Sequence, residues 1–550
     1  MFRSFYLALF LFLPFLYRCT DGPSPKRPVA PPTPIEEIQE VIEVFETPEP
    51  YSPKRLDSTA IENFLQQHEN FRPYSDRIKG FYARREMQFA WFVSDTLSES
   101  ANSFLALVNS DDTLHTIVAG LREGVEELIK HRERDITEVE LSLTANFYRF
   151  AKDKYEGLVR TDLNELEWYI PRRKRDPDRF LDSLVKGGMD LAVIEPLHPQ
   201  YNALKDRLGM YHKLEAEEWP KIDMPRGKRK IVPGQRSPIV PQIRERLIKL
   251  GDHPTLQDSL QEPELFDSTL VSALKELQVR HGLMEDGVIG EGVLTVLNVH
   301  PKERVKTLLV NMERLRWMPE HTDEDLVLVN IPEFKLHVLE KGEEVMSMEV
   351  VVGNEGTKTV IFSDTISYIV FSPTWTVPKS IVKNEILPAM EKDRHYLEKK
   401  DMEIIGGTEE LPLIRQRPGA QNALGRVKFM FPNSYNIYLH DTPSKSLFKR
   451  EERAFSHGCI RVSRPVDFAK YLLKDQEEWN DEKMTGSMDL EEELIVPLKQ
   501  KRPVMIAYFT AWVDASGRLN FRNDIYGHDA RLAQEIFQIG DSPELAAHRH

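Results

Sequence analysis

Between residues 236 and 300 apolar positions recur every three or four residues. Leu270, Ala273, Leu274 and Leu277 stand at i, i+3, i+4 and i+7, the spacing of one buried helix face. Ile243, Leu247, Ile248 and Leu250 mark an earlier helix, and Val293, Leu294 and Leu297 a later one. Gly282 reads as a helix stop and Asp286-Gly287 as a turn. Together these predict a compact three-helix module. The helical period also dominates 54–235, through stretches such as Ile117-Leu121-Val125-Leu128 and Leu141-Leu143-Phe147-Phe150, and it continues to Trp317. From Leu326 the period changes to two. Val327, Val329 and Ile331, then Leu336 and Val338, then Met346, Met348, Val350 and Val352 read as strands with turns at Lys341-Gly342 and Gly353-Asn354. Further strands are predicted at 366–371, 429–439 and 504–513. Ser463 is predicted to cap a helix carrying Val466, Phe468, Ala469, Leu472 and Leu473.

These elements predict a multidomain α+β chain. A helical scaffold covers 54–235, the small three-helix module 236–302, a connecting helix 303–324, a mainly β domain 325–515 and a C-terminal extension 516–550. Within the β domain, residues 380–430 are polar and punctuated by Gly406-Gly407 and Pro418-Gly419. They read as a capping insert with little core of its own, of a length usually found in functional covers. Two basic runs, Arg172 to Arg175 and Arg226 to Lys230, lie beside prolines and are expected in solvated loops.

The N-terminus has a different character. Arg3 precedes an apolar run from Phe5 to Tyr17, too short for a bilayer span, which needs ~20 residues. Residues 1–20 therefore read as an export segment, which implies the periplasm or cell envelope. No small-x-small cleavage site follows. Leu16-Tyr17-Arg18-Cys19 is loosely similar to a lipoprotein box, so cleavage and lipidation at Cys19 both stay open, the second giving a membrane tether. Residues 21–53 carry nine prolines and read as a semi-extended linker. The formal net charge of -15 argues against nucleic acid as a partner. Two cysteines, Cys19 and Cys459, cannot form a disulfide framework.

Candidate chemistry is concentrated in His440 and Ser456-His457-Gly458-Cys459-Ile460-Arg461. A thiolate is a strong nucleophile, but at neutral pH a free cysteine is mostly protonated, so a neighbouring imidazole must take the proton. Gly458 permits a tight turn that exposes the sulfur, and backbone N–H groups around Cys459 could bind an oxyanion. Two histidines compete as the base: His457, two residues from Cys459, and His440, at the end of the apolar run Ile437-Tyr438-Leu439. Zinc is a rival use of His440, His457 and Cys459, although a fourth ligand is missing nearby. Trp375 suits core packing as well as a substrate wall, and Tyr438 is placed to line the site.

His440, a spacer of 15 residues, then Ser456-His457-Gly458-Cys459 resembles the signature of the L,D-transpeptidases. Pro373-Thr374-Trp375-Thr376-Val377-Pro378 is similar to a further family segment, with Ser372 where the family carries Asn. Thr359-Val360 stands where a Thr-Pro pair is usual. Tyr508 to Trp512 and Phe521 to Tyr526 resemble the C-terminus of the long, Gram-negative members. Residues 266–290 resemble a peptidoglycan-binding domain.

The resemblance implies that Cys459 is the nucleophile and His440 the base, with Ser456, His457 and Gly458 shaping the turn. Arg461, Tyr438 and Trp375 would meet the substrate. It implies 3→3 cross-linking of peptidoglycan peptide stems through an acyl-thioester, inhibition by carbapenems, and no metal or organic cofactor. Hydrolysis of the same acyl-enzyme, attachment of a protein to the wall, and a non-catalytic wall-binding scaffold are the alternatives.

Overall fold

The computed structural model describes residues 52–539 apart from 53, 58, 94–95, 111–134, 173–175, 187–197, 254–261 and 319–324. The export segment, Cys19, nearly all of the proline linker and the apolar stretch at 117–128 lie outside the described residues. No helix among the described residues is long and apolar enough to cross a membrane.

The scaffold contains α1 (Ala60–Gln67), α2 (Ser75–Arg84), α3 (Glu99–Ser110), α4 (Ile136–Ala151), α5 (Pro177–Val185) and α6 (Pro199–Glu215). A short antiparallel strand pair at Phe92–Val93 and Thr96–Leu97 interrupts them. Asp135 caps α4 by accepting from the Thr137 N–H, and α4 is buried nearly all round. Its one buried carboxylate, Glu140, accepts from the Ala90 N–H at 2.6 Å, the Trp91 N–H at 3.0 Å and the Tyr82 hydroxyl at 2.8 Å. Burial still raises its pKa to about 7.

The three-helix module holds α7 (Val240–Lys249), α8 (Ser268–Arg280) and α9 (Glu291–Asn298). Asp267 caps α8 through the Leu270 N–H. The module has its own core, and that core also takes Ile222 and Ile231 from upstream of residue 236. The scaffold and the β domain instead share one continuous core. Helix α10 (Pro301–Trp317) runs through it. Its buried Arg316 pairs with Glu313 at 2.7 Å, and Arg314 with Asp529 at 2.6 Å. Glu313 also accepts from the Leu158 and Val159 N–H groups, which ties the scaffold to this helix.

The β domain is built on β1 (Leu326–Asn330), β2 (Lys335–Glu340), β3 (Glu343–Gly353), β4 (Phe362–Phe371), β8 (Val427–Met430), β9 (Leu439–His440), β10 (Ala454–Ser456), β11 (Ile460–Val462) and β12 (Leu494–Ala507). Their order is β10-β3-β11-β9-β8-β4-β12-β1-β2, and β2 pairs back onto β3, so the sheet closes on itself. The capping insert carries a separate sheet of β5 (Trp375–Thr376), β6 (Met402–Gly407) and β7 (Pro412–Gln416), with β7 in the middle. A hairpin of β13 (Ala511–Val513) and β14 (Leu519–Phe521) follows, then α12 (His528–Ile539), after α11 (Pro465–Leu472) earlier in the chain.

Four local expectations are corrected. The insert has a core of its own, formed by Val377, Ile381, Val382, Ile386 and Ile414. Its apolar residues are dispersed among polar ones and converge only in three dimensions. The strand expected at 504–513 is broken after Ala507, where Phe509 and Thr510 turn their N–H groups to the Asn330 and Asn311 side chains. Ser463 does not cap α11. Its N–H donates to the Glu349 carbonyl at 3.0 Å, and Arg464 holds the cap position without a side-chain bond. Arg172, finally, is only partly exposed, its guanidinium lying 5.0 Å from the Trp317 ring centre, while 173–175 lie outside the described residues.

The module is docked against the C-terminal hairpin. His281 stacks on Phe521 with ring centres 5.5 Å apart, and Arg522 donates to the Arg280 carbonyl at 2.9 Å. The scaffold reaches the β domain near residue 361, where Tyr169 N–H donates to the Ile361 carbonyl at 2.9 Å.

Candidate active site

Strands β9 and β11 are neighbours and parallel, with Leu439 opposite Ile460 and His440 opposite Arg461. Side chains alternate along a strand, so Tyr438 and His440 share a face, and so do Cys459 and Arg461. The register puts all four on one face, and the Tyr438 and His440 rings sit 5.7 Å apart. Tyr438 and Cys459, each immediately ahead of its strand, and His440 and Arg461, within the strands, thus make the candidate site.

The thiol is half-buried. It donates to the Asn436 carbonyl at 3.6 Å, and Asn436 adopts a left-handed backbone with φ 56°. Burial pushes the Cys459 pKa up, while hydrogen bonds from the Tyr438 N–H and hydroxyl and the charge of Arg461 pull it down; burial wins. His440 is driven the other way. Burial, reinforced by the Arg461 charge, lowers its pKa to about 3 despite the Asp441 and Leu424 carbonyls, which favour a protonated ring. Its Nδ1 faces the Asp441 carbonyl at 2.5 Å. Donation there makes Nδ1 the N–H of a neutral ring and leaves Nε2 with the lone pair. Asp441 is itself fixed by the Arg426 N–H at 2.9 Å and by Lys445. The resting pair is therefore a thiol and a neutral imidazole.

The turn before Cys459 is held from inside and outside. Ser456 is buried; its hydroxyl donates to the Cys459 carbonyl and accepts from the Gly458 N–H at 3.2 Å. Gly458 has φ 107°, a conformation L side chains rarely adopt, although a Cβ there would find room. From outside, Thr357 donates to the Ser456 carbonyl at 3.1 Å and Thr359 to the Gly458 carbonyl at 2.8 Å.

The two histidines are separated by this geometry. His440 lies on the face of Cys459. His457 is exposed and its Nε2 lies 3.1 Å from a Glu385 carboxylate oxygen in the cap. Arg461 brings a mostly buried guanidinium whose Nε has no hydrogen-bond partner. Trp375 does not join the cluster: it packs on the cap's own core. Among the described residues no group of His, Cys, Asp and Glu is arranged to hold a metal ion. Ser372, standing in for Asn, has φ 44°, and its hydroxyl links the Ser487 carbonyl to the Leu490 N–H. Asn is more at ease there because it tolerates left-handed backbone better.

Sequence reasoning missed Glu385, Asn436 and the Tyr526 phenol, which reaches the loop under the turn. Polar side chains that meet across many residues leave no periodic trace. The one available signal was that Thr359 and Tyr526 both fell in segments resembling the family.

Comparison with known proteins gives three domain matches. An L,D-transpeptidase catalytic domain matches residues 324–488, a scaffold domain 76–208, and a "Putative peptidoglycan binding domain" 236–297. A "Putative L,D-transpeptidase" of Haemophilus influenzae is 30% identical over 240 residues, covering 41% of this chain and 48% of its own length. The chain thus spans about half of that curated relative. Among solved structures, an L,D-transpeptidase from Mycobacterium smegmatis is 16% identical over 34% of this chain and 58% of its own, with a TM-score of 0.19. L,D-transpeptidase 3 from Mycobacterium tuberculosis, in complex with a faropenem-derived adduct, is 16% identical over 33% and 59%, with a TM-score of 0.18.

Proposed function

We propose that this chain, which belongs to the L,D-transpeptidases by its catalytic domain, is a cysteine acyltransferase that makes 3→3 cross-links between peptidoglycan stems. The observation that carries the reading is the shared face of Tyr438, His440, Cys459 and Arg461 beside a turn fixed at Gly458. The donor is a stem ending in a diamino acid followed by D-Ala. His440 Nε2 takes the Cys459 proton as sulfur attacks the carbonyl at the diamino acid's L-centre. The oxyanion forms beside the backbone N–H groups of the turn. As the intermediate collapses, the C–N bond to D-Ala breaks and the departing amine takes the proton from His440. A thioester remains on Cys459. The side-chain amine of a second stem attacks it, an amide forms and the thiol is regenerated.

The neutral state of both groups suits this sequence. The neutral imidazole presents an unprotonated Nε2 that can take the proton, although burial makes it a weaker base than a free imidazole, and the Arg461 charge favours the thiolate that the transfer creates. The half-buried Arg461 guanidinium, whose inner Nε has no partner within the protein, would meet a substrate carboxylate or carbonyl through its outer nitrogens. The same thiol would open the β-lactam ring of a carbapenem and keep the acyl group. The module at 236–297 would hold the enzyme on the wall, and the N-terminal segment would export it to the periplasm. Water as acceptor would make the protein an L,D-carboxypeptidase, and a protein lysine would make it a wall-attachment enzyme.

Incubation with purified disaccharide-tetrapeptide, followed by intact-protein and product mass spectrometry, tests the reading. An acyl adduct on Cys459, released D-Ala and a dimer of one tripeptide donor joined to one tetrapeptide acceptor are expected. A tripeptide alone would identify the hydrolase. No adduct from stem or carbapenem would overturn acyl transfer.

A further inference from the structure

The Cys459 turn rests on a hydrogen-bonded ring that reaches the C-terminal extension. Thr359 is buried and its hydroxyl donates to the Gly458 carbonyl while accepting from the Gly353 N–H at 2.9 Å. The Thr359 N–H donates in turn to the Tyr526 hydroxyl at 3.2 Å, and that hydroxyl donates to the Gly353 carbonyl at 2.5 Å. Tyr526 is buried too. Its own N–H donates to the Tyr508 hydroxyl at 2.9 Å, and Tyr508 donates to Asp524 at 2.7 Å. Every group in this chain is paired, and Tyr526 lies outside the 324–488 catalytic-domain match.

Peptide geometry gives the ring a chemical consequence. A trans peptide is planar, with its C=O and the next N–H pointing in opposite directions. Fixing the Gly458 carbonyl on Thr359 therefore fixes the direction of the Cys459 N–H. The Gly458 N–H is already given to Ser456, so the Cys459 N–H is the donor of this turn best placed to meet an oxyanion. Gly458, with φ 107°, is a residue whose peptide could otherwise swing at little cost.

We propose that Tyr526, acting through Thr359, is a positioning residue that aims the Cys459 N–H at the oxyanion, so that the C-terminal extension is part of the acylation machinery. The inference rests on the acyl-transfer reading above. Neither hydroxyl touches the sulfur, so the thiol's intrinsic reactivity is independent of them.

The experiment uses the full chain carrying Tyr526→Phe, Thr359→Val, Thr359→Ser or the Tyr526→Phe/Thr359→Val pair. Three quantities are read: the rate of acylation by imipenem, the rate of alkylation by iodoacetamide and the melting temperature. Small misplacement of an aligned group costs up to about a hundredfold in rate, so Tyr526→Phe and Thr359→Val should slow acylation roughly tenfold to a hundredfold. Alkylation, which forms no oxyanion, should stay within about twofold. Thr359→Ser should restore acylation. The double variant should lose less than the product of the single losses, because both act through one chain. Unchanged acylation in a folded Tyr526→Phe protein overturns the inference, as does an equal fall of acylation and alkylation. Should Tyr526→Phe fail to fold, the Thr359→Val and Thr359→Ser pair decides by the same two rates. If the wild-type protein is not acylated while its thiol is alkylated, the acyl-transfer reading itself falls and takes the inference with it.

Discussion

Replacing Gly353 by Ala is the most informative single-atom change outside the site. Gly353 ends β3, and an added Cβ would lie 2.1 Å from the Thr357 carbonyl oxygen, 2.8 Å from the Thr359 nitrogen and 3.0 Å from the Lys358 carbonyl carbon. All three are backbone atoms, so no side chain can swing aside. Strand and loop must separate by roughly 1 Å to reach ordinary contact. That loop carries the Thr359 bond to the Gly458 carbonyl, the Thr357 bond to the Ser456 carbonyl and the Asn354 N–H bond to the Ser456 carbonyl. At about 1 kcal/mol net each, with more where a buried partner is left unpaired, the loss is about 3–4 kcal/mol. For a catalytic domain of this size the melting point should fall by about 6–15 °C. A misaimed Cys459 N–H should also slow acylation by up to ~10²–10³, the usual cost of one oxyanion donor. Gly356→Ala is the control: it is in the same loop, but its Cβ would meet only the Asn354 side chain at 3.3 Å. The assay is single-turnover acylation by imipenem, followed by intact mass, beside a thermal melt. A folded Gly353→Ala protein that acylates at the wild-type rate would refute the claim that this loop aims the turn.

Cys459→Ala should abolish turnover and carbapenem labelling with the melting curve nearly unchanged, as product analysis and intact mass would read. His440→Ala should slow acylation by ~10²–10⁴, whereas His457→Ala, which faces Glu385 in the cap, should cost far less; the reverse order in single-turnover rates would reassign the base. Buried His440 and His528 have pKa values lowered to about 3 and His198 to about 4, so the unfolded chain binds more protons between pH ~6.5 and those values. Their contribution to stability should be complete above pH ~6.5 and lost as pH falls through that window, while His337, raised to about 9 by Glu333 and Glu344, stabilises below pH ~6.5 and stops doing so as pH rises through about 9. Denaturant midpoints measured across pH 3–10, repeated with His440→Gln and His337→Gln, would check both signs. A fragment starting at residue 219 and ending at 300 should fold and sediment with purified sacculi, whereas one starting at 236 lacks Ile222 and Ile231 and should be much less stable by circular dichroism.

Much of this protein is legible without coordinates. The change of period at Leu326 separates helical from β regions because burial of one face imposes 3.6 or 2 on any chain. His440 and the Ser456-to-Arg461 run stand out because nucleophile chemistry requires particular residue types at fixed spacing. The three-helix module reads cleanly for the same reason as the strands, although its upstream residues Ile222 and Ile231, isolated among polar neighbours, do not.

Other features depend on tertiary structure alone. That His440 shares a face with Cys459 follows from the parallel register of β9 and β11, and register is a property of two strands together. The neutral state of Cys459 is set by burial against the charge of Arg461, and that of His440 by burial with Arg461 reinforcing it; burial is not visible in a local window. The cap's core gathers Val377, Ile386 and Ile414 from separate short elements. The link from Tyr526 to Gly353 joins groups 173 residues apart. Periodic burial writes itself into sequence because many residues repeat the same demand; a single buried hydroxyl meeting a single carbonyl repeats nothing, so only the folded chain reveals it.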